Sequence, residues 1–157
     1  MRKIHIINGL YLSNKEKYIN SIEKISPYNC IVMPDDYSTE QWYKSLNRIE
    51  ETLFVHDKED IYIGCCITSR ARLNQLLIAI ELMGEIKNQE YEIDFIIFAN
   101  KEKDIKELMC KNYGYTGHFL EQITELYIKR QRKFIELMRS VEYFKYSLTF
   151  SEIELID

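Results

Sequence analysis

GLYLSNKE, residues Gly9 to Glu16, matches the phosphate-binding loop pattern G-x-x-x-x-G-K-[ST] at its first glycine and its lysine. It departs at the other two fixed positions. Asn14 stands where the second glycine belongs, and Glu16 where the metal-binding hydroxyl belongs. Such a pattern has physical meaning only between a buried strand and a helix. Both flanks supply that context. KIHIIN (Lys3 to Asn8) carries Ile4, Ile6 and Ile7 for a strand, and Asn14 to Ile25 places Tyr18, Ile19, Ile22 and Ile25 at helical spacing.

Further out, the chain keeps alternating. NCIVM (Asn29 to Met33) reads as a second buried strand, and Ser38 or Thr39 caps a helix through Ile49 with Trp42, Leu46 and Ile49 on one face. Thr52 to Val55 is a short apolar piece, followed by a polar turn at His56 to Asp60. IYIGCCI (Ile61 to Ile67) is a third strand, and Thr68 or Ser69 caps a long helix holding Leu73, Leu76, Leu77, Ile80 and Met83. The strand IDFIIFA (Ile93 to Ala99) and a helix over Lys101 to Cys110 come next. NYGYTGHF (Asn112 to Phe119) reads as a loop, Phe119 to Phe144 as a long helix, and Ser147 to Ile156 as a last short strand. Strands alternating with helices predict an α/β fold: a three-layer sandwich, with a parallel central sheet and helices on both faces.

At 157 residues and net charge −4, the chain has the size and composition of one ordinary domain spanning 1–157. It has neither a signal-like apolar run at its start nor a segment of membrane-span length, so a cytoplasmic location is expected. Cys30, Cys65, Cys66 and Cys110 fit no zinc spacing, and His5, His56 and His118 are scattered, so reduced structural thiols are expected and no metal centre built on them.

In open α/β sheets, ligands bind beyond the carboxyl ends of the strands. Those ends carry Gly9 to Glu16, then Asp35, Asp36 and Tyr37, then Cys65 to Ile67 with Arg70 and Arg72, then Asn100 and Lys101. Asp35 or Asp36 can supply a carboxylate to orient an attacking hydroxyl, although PDDYS also suits a plain turn before a helix. Lys15 is either a phosphate ligand or a solvated residue of the first helical turn. The basic run Lys129, Arg130, Arg132 and Lys133 offers a contact for nucleic acid, but acidic residues nearby dilute it and a solvated face is expected.

Taken with their order, these segments resemble the kinase domain of bacteriophage polynucleotide kinase and its relatives among P-loop kinases. GLYLSNKE stands at the P-loop, MPDDYS (Met33 to Ser38) at that family's N-x-D-D-Y-R-like segment, and IGCCITSRAR (Ile63 to Arg72) at its D-T-N strand end and arginine-containing helix. The resemblance implies ATP and magnesium as cofactors, with Gly9, Asn14, Lys15 and Glu16 at the nucleotide. It implies Lys15 on the β/γ-phosphates, Asp35 as the base for a 5′-hydroxyl, and Asp36, Tyr37 and Arg72 at the substrate.

The departures are just as specific. Asn14 puts a side chain where glycine's freedom is usually required. Glu16 brings negative charge toward a triphosphate, a repulsion of roughly 4 kcal/mol at about 4 Å and an effective dielectric near 20. Cys65, Cys66 and Ile67 replace the D-T-N carboxylate, Ser38 replaces the arginine after DDY, and no arginine lies between Cys110 and Gly117. Loss of a lid arginine alone costs about a thousandfold in rate. The sequence therefore predicts a P-loop kinase-like protein with an eroded site, a pseudokinase that binds a protein or a nucleic-acid end. An active 5′-hydroxyl kinase and a nucleotide-binding sensor are the alternatives.

Overall fold

The central strand, β1 (Arg2–Gly9), sends Ile4 and Ile6 to one face and Ile7 to the other, and all three are fully buried. In the computed structural model, which describes residues 2–56, 59–143 and 147–151, β1 is the middle of a five-stranded sheet. Around it lie β2 (Cys30–Val32), β3 (Ile61–Cys65), β4 (Tyr91–Phe98) and β5 (Ser147–Ser151), in the order β2-β3-β1-β4-β5. Every pairing is parallel, with Ile6 opposite Ile63 on one side and Phe95 on the other. Parallel neighbours require crossovers, and the helices supply them. They are α1 (Lys15–Ile25), α2 (Thr39–Val55), α3 (Arg70–Lys87), α4 (Glu102–Tyr113) and α5 (Gly117–Arg139).

The two faces are covered unequally. On the larger side Ile4, Ile6, Ile31, Ile63 and Phe95 pack with Trp42 and Ile49 of α2, Leu76 and Ile80 of α3, and Tyr127, Phe134 and Met138 of α5. On the smaller side Ile7, Cys30 and Phe98 meet Ile19 of α1. The expected three-layer sandwich is what the chain forms.

Helix ends follow local chemistry. Ser38 and Gln41 make a reciprocal capping box at the start of α2, and Ser69 Oγ accepts from the Arg72 amide at the start of α3. Asn88, at φ 50°, closes α3 in the left-handed region, a position Asn tolerates better than most side chains.

Several boundaries differ from the sequence reading. Thr52 to Val55 is the last turn of α2 rather than a separate piece, because Leu53 continues the buried stripe of Trp42, Leu46 and Ile49. Expected to span Asn112 to Phe119, the loop contracts to residues 114–116, with Gly114 (φ 70°) ending α4 and Gly117 (φ 62°) opening α5. The long last helix stops at Arg139 and tightens into a 3-10 turn over Ser140–Tyr143. Phe144, residues 57 and 58 of the polar turn, and residues 152–156 of the last strand lie outside the described residues.

Candidate functional site

The loop after β1 carries one residue with a special backbone requirement. Asn14 sits at φ 59°, ψ 23°, the left-handed conformation that a glycine normally supplies at this point. Asparagine adopts it with little strain, so the loop keeps its turn into α1 despite the replacement. Gly9 is constrained for another reason. A Cβ there would lie 2.5 Å from Ser13 Oγ and 2.9 Å from Phe98 Cβ, so the strand end is too tightly packed for any side chain.

Lys15 is 2% exposed, which excludes a solvated lysine. Its Nζ donates to Gly9 O at 2.6 Å, Asp35 Oδ1 at 2.6 Å and Cys65 O at 2.8 Å. An ammonium has three protons, and these three acceptors take them all. Lys15 thereby joins the carboxyl ends of β1 and β3 to the turn after β2. The loop is also closed on itself: Ser13 donates its backbone N–H and its hydroxyl to Leu10 O, at 2.9 and 2.6 Å.

Glu16 faces this ion pair from the solvent side. Burial pushes its carboxyl above the ordinary glutamate range, and the Asp35 carboxylate adds to the rise, while its own backbone amide and Lys15 oppose it. Tyr113 lies close enough to feel the charges of Glu16 and Asp35, although burial and Tyr115 raise its hydroxyl pKa more. Cys65 behind the pair is fully buried, and desolvation pushes its thiol up to about 12.

Beside the loop opens a cleft of about 730 Å³. Tyr11, Asp35, Asp36 and Tyr37 line one part and Tyr127, Arg130, Lys133 and Phe134 of α5 another, with Cys66 and Thr68 between. Arg130 and Lys133 are exposed, stand one turn apart, and make no ion pair among the described residues. Their neighbour Arg132 differs, gripping Glu102 through Nε at 2.6 Å and Nη2 at 2.7 Å. Only part of the basic run is therefore a plain solvated face. The signal was present in the spacing of Tyr127, Arg130 and Phe134, which puts the arginine beside the buried stripe.

Of the candidates from the sequence, Lys15 and Asp35 are brought into contact, with Glu16 close by. Asp36 is exposed at the cleft rim and Tyr37 is half-buried in its wall. Arg72 is drawn behind Tyr37, its guanidinium 5.9 Å from that ring and 5.2 Å from the Trp42 ring, with Nη2 3.4 Å from Thr39 Oγ1. Arg70 instead donates to Ser140 Oγ at 2.9 Å.

Two asparagines that the sequence reading left without a role shape the site. Asn8 pairs its side chain with both backbone groups of Ile67, and Asn100 Nδ2 donates to Leu12 O at 3.2 Å. Gln131 of α5 in turn holds both the N–H and the carbonyl of Asn100, at 2.9 and 2.8 Å.

No known family model matches the sequence, and no curated protein sequence matches it either. Solved structures do match. A fungal RNA kinase superposes at TM-score 0.64 and 9% identity, covering 100% of this chain and 78% of its own. A gluconokinase from Sinorhizobium meliloti 1021 gives 0.51 at 12% identity, covering 98% and 85%. Polyphosphate kinase 2 from Arthrobacter aurescens TC1 gives 0.59 at 10%, covering 95% of this chain and 60% of that one. The chain has the fold of a P-loop kinase. At such identities the likeness concerns the fold alone. No sequence relation to phage polynucleotide kinase accompanies it, and within the P-loop kinase fold the residues as arranged do not fit a magnesium–nucleotide complex. The lysine protons are committed elsewhere, and the Ser13 amide is satisfied inside the loop. No described helix is long and apolar enough to cross a membrane.

Proposed function

We propose that this protein is a pseudokinase that binds a nucleic-acid end in the cleft beside its phosphate loop without transferring phosphate. The observation that carries the reading is the Lys15 ammonium, bonded to Gly9 O, Cys65 O and Asp35. The lysine charge is balanced by Asp35 and its three protons are all engaged, so it is not offered to a nucleotide as the loop stands. The cleft lining supports the reading with two cationic groups for phosphates, Arg130 and Lys133, beside the carboxylates of Asp35 and Asp36, and with the exposed Tyr11 ring for base stacking.

The test has two parts. Incubation with labelled ATP, magnesium and 5′-hydroxyl oligonucleotides should yield no transfer. Fluorescence anisotropy with a short single-stranded oligonucleotide should detect salt-dependent binding, and the doubly substituted Arg130→Ala/Lys133→Ala protein should bind more weakly with a smaller salt slope. Transfer abolished by Lys15→Ala and Asp35→Asn would overturn the reading.

A second reading is an active kinase of 5′-hydroxyl groups on nucleosides or polynucleotides. It is favoured by Asn14, whose left-handed backbone preserves the glycine-like turn. It requires Lys15 to leave its three acceptors, and nucleotide-induced stabilisation of the fold would support it.

A further inference from the structure

Helix α3 is apolar on more sides than its own sheet can cover. Leu73, Leu76, Leu77, Ile80 and Met83 face the core, yet Ile78, Leu82 and Ile86 are 54%, 52% and 67% exposed. Their spacing of four places them in one stripe along the outer surface. At its end Phe54 and Val55 of α2, 57% and 70% exposed, extend the patch, with the Lys87 ammonium over the Phe54 ring.

From these exposures the patch amounts to about 500 Å² of apolar surface, at the upper end of what monomers carry. A stable dimer buries about 800 Å² per partner, about two-thirds of it apolar, and the patch matches that share.

Charge selects the occupant. Arg70 and Arg72 lie in the first turn of α3, which has no acid. Glu81 and Glu85 in its last two turns, with exposed Glu90 beyond it, outnumber the one base at that end, Lys87, whose ammonium sits over Phe54. This order opposes the helix dipole, which favours acids at the start and bases at the end. It suits a second α3 running antiparallel, because each basic start then lies beside an acidic end.

We propose that α3 is the isologous interface of a homodimer, with Ile78 packing on Leu82 of a second copy across the two-fold axis and Arg70 approaching the acidic end. A parallel arrangement would set like charges together.

Sedimentation equilibrium of the full chain tests this. Wild type should associate reversibly to a dimer. Leu82→Lys should weaken association by about a hundredfold, because the two-fold places each substitution in the interface twice. Position 82 is exposed, so the helical circular dichroism and melting temperature of the monomer should be unchanged. Arg70→Glu should weaken the dimer, and adding Glu90→Arg should restore part of the loss. A wild-type chain that stays monomeric to about 1 mM, or a Leu82→Lys protein that dimerises as before, would overturn the proposal.

Discussion

Lys15 Nζ lies 2.6 Å from Asp35 Oδ1, joining a 2%-exposed cation on α1 to a carboxylate in the turn after β2. Because the same ammonium bonds the carbonyls of Gly9 and Cys65, it acts as a cross-brace among three strand ends. Substituting Lys15→Met keeps the length of the side chain and strands both buried carbonyls. The expected cost is about 2–4 kcal/mol of unfolding free energy, read from urea denaturation. A lysine held for phosphate would give the opposite result, since removing a strained catalytic charge leaves stability unchanged or raised.

Gly9→Ala should destabilise by about 2–3 kcal/mol, because the added methyl meets Ser13 Oγ and Phe98 Cβ inside contact distance. Trimming Ser13 to glycine alongside should recover only part of the loss, as Phe98 remains. Full recovery in thermal melts would mean that Phe98 moves aside readily.

Asn14→Gly should change stability by no more than about 0.5 kcal/mol, whereas Asn14→Val should cost about 1–2 kcal/mol. The backbone at φ 59° is the reason. Equal effects of the two substitutions would show that the loop relaxes out of this conformation.

For Glu16 the pH dependence has a definite sign. Burial, reinforced by Asp35, raises its folded-state pKa above the unfolded value. The folded chain thus holds this proton more tightly, and the stability it contributes is present in acid and lost as pH rises through the raised pKa. Glu16→Gln should therefore melt higher than wild type at neutral pH, with the two curves converging below the ordinary glutamate range. A gap that stays constant across the titration would refute this assignment.

Thiol labelling should separate the four cysteines. Cys110 is exposed and should react with iodoacetamide in the native protein, while Cys30 and Cys65, both buried, should react only on unfolding. Cys66 lies at the cleft, where burial raises its thiol pKa, and should label slowly. A bound oligonucleotide should slow it further, as mass spectrometry of the labelled protein would register.

Much of the framework was legible in the chain because period and capping act locally. Ile4, Ile6 and Ile7 mark β1, Ser38 and Ser69 mark helix starts, and the glycine–lysine spacing marks the loop. The direction of Lys15 was not legible. It is set by carbonyls from β1 and β3 that adjoin only after the sheet assembles. His5 was equally opaque. Its ring nitrogens lie 3.1 Å from Asp60 and 3.2 Å from Asp94, partners 55 and 89 residues away. The boundary errors have a simpler origin. Asn112 and Tyr113 look like loop residues, yet they continue α4 because Ile105 and Met109 already anchor it in the core. For Arg130 the spacing to Tyr127 and Phe134 was a legible signal, but what it and Lys133 face depends on the position of α5 along the cleft.

Gln131 holds both backbone groups of Asn100, and Asn100 holds the carbonyl of Leu12. The wall bearing Arg130 and Lys133 is thereby geared to the loop that bears Lys15. On the proposed reading, a ligand held by the basic wall would act on the same hydrogen bonds that anchor the loop at Leu12.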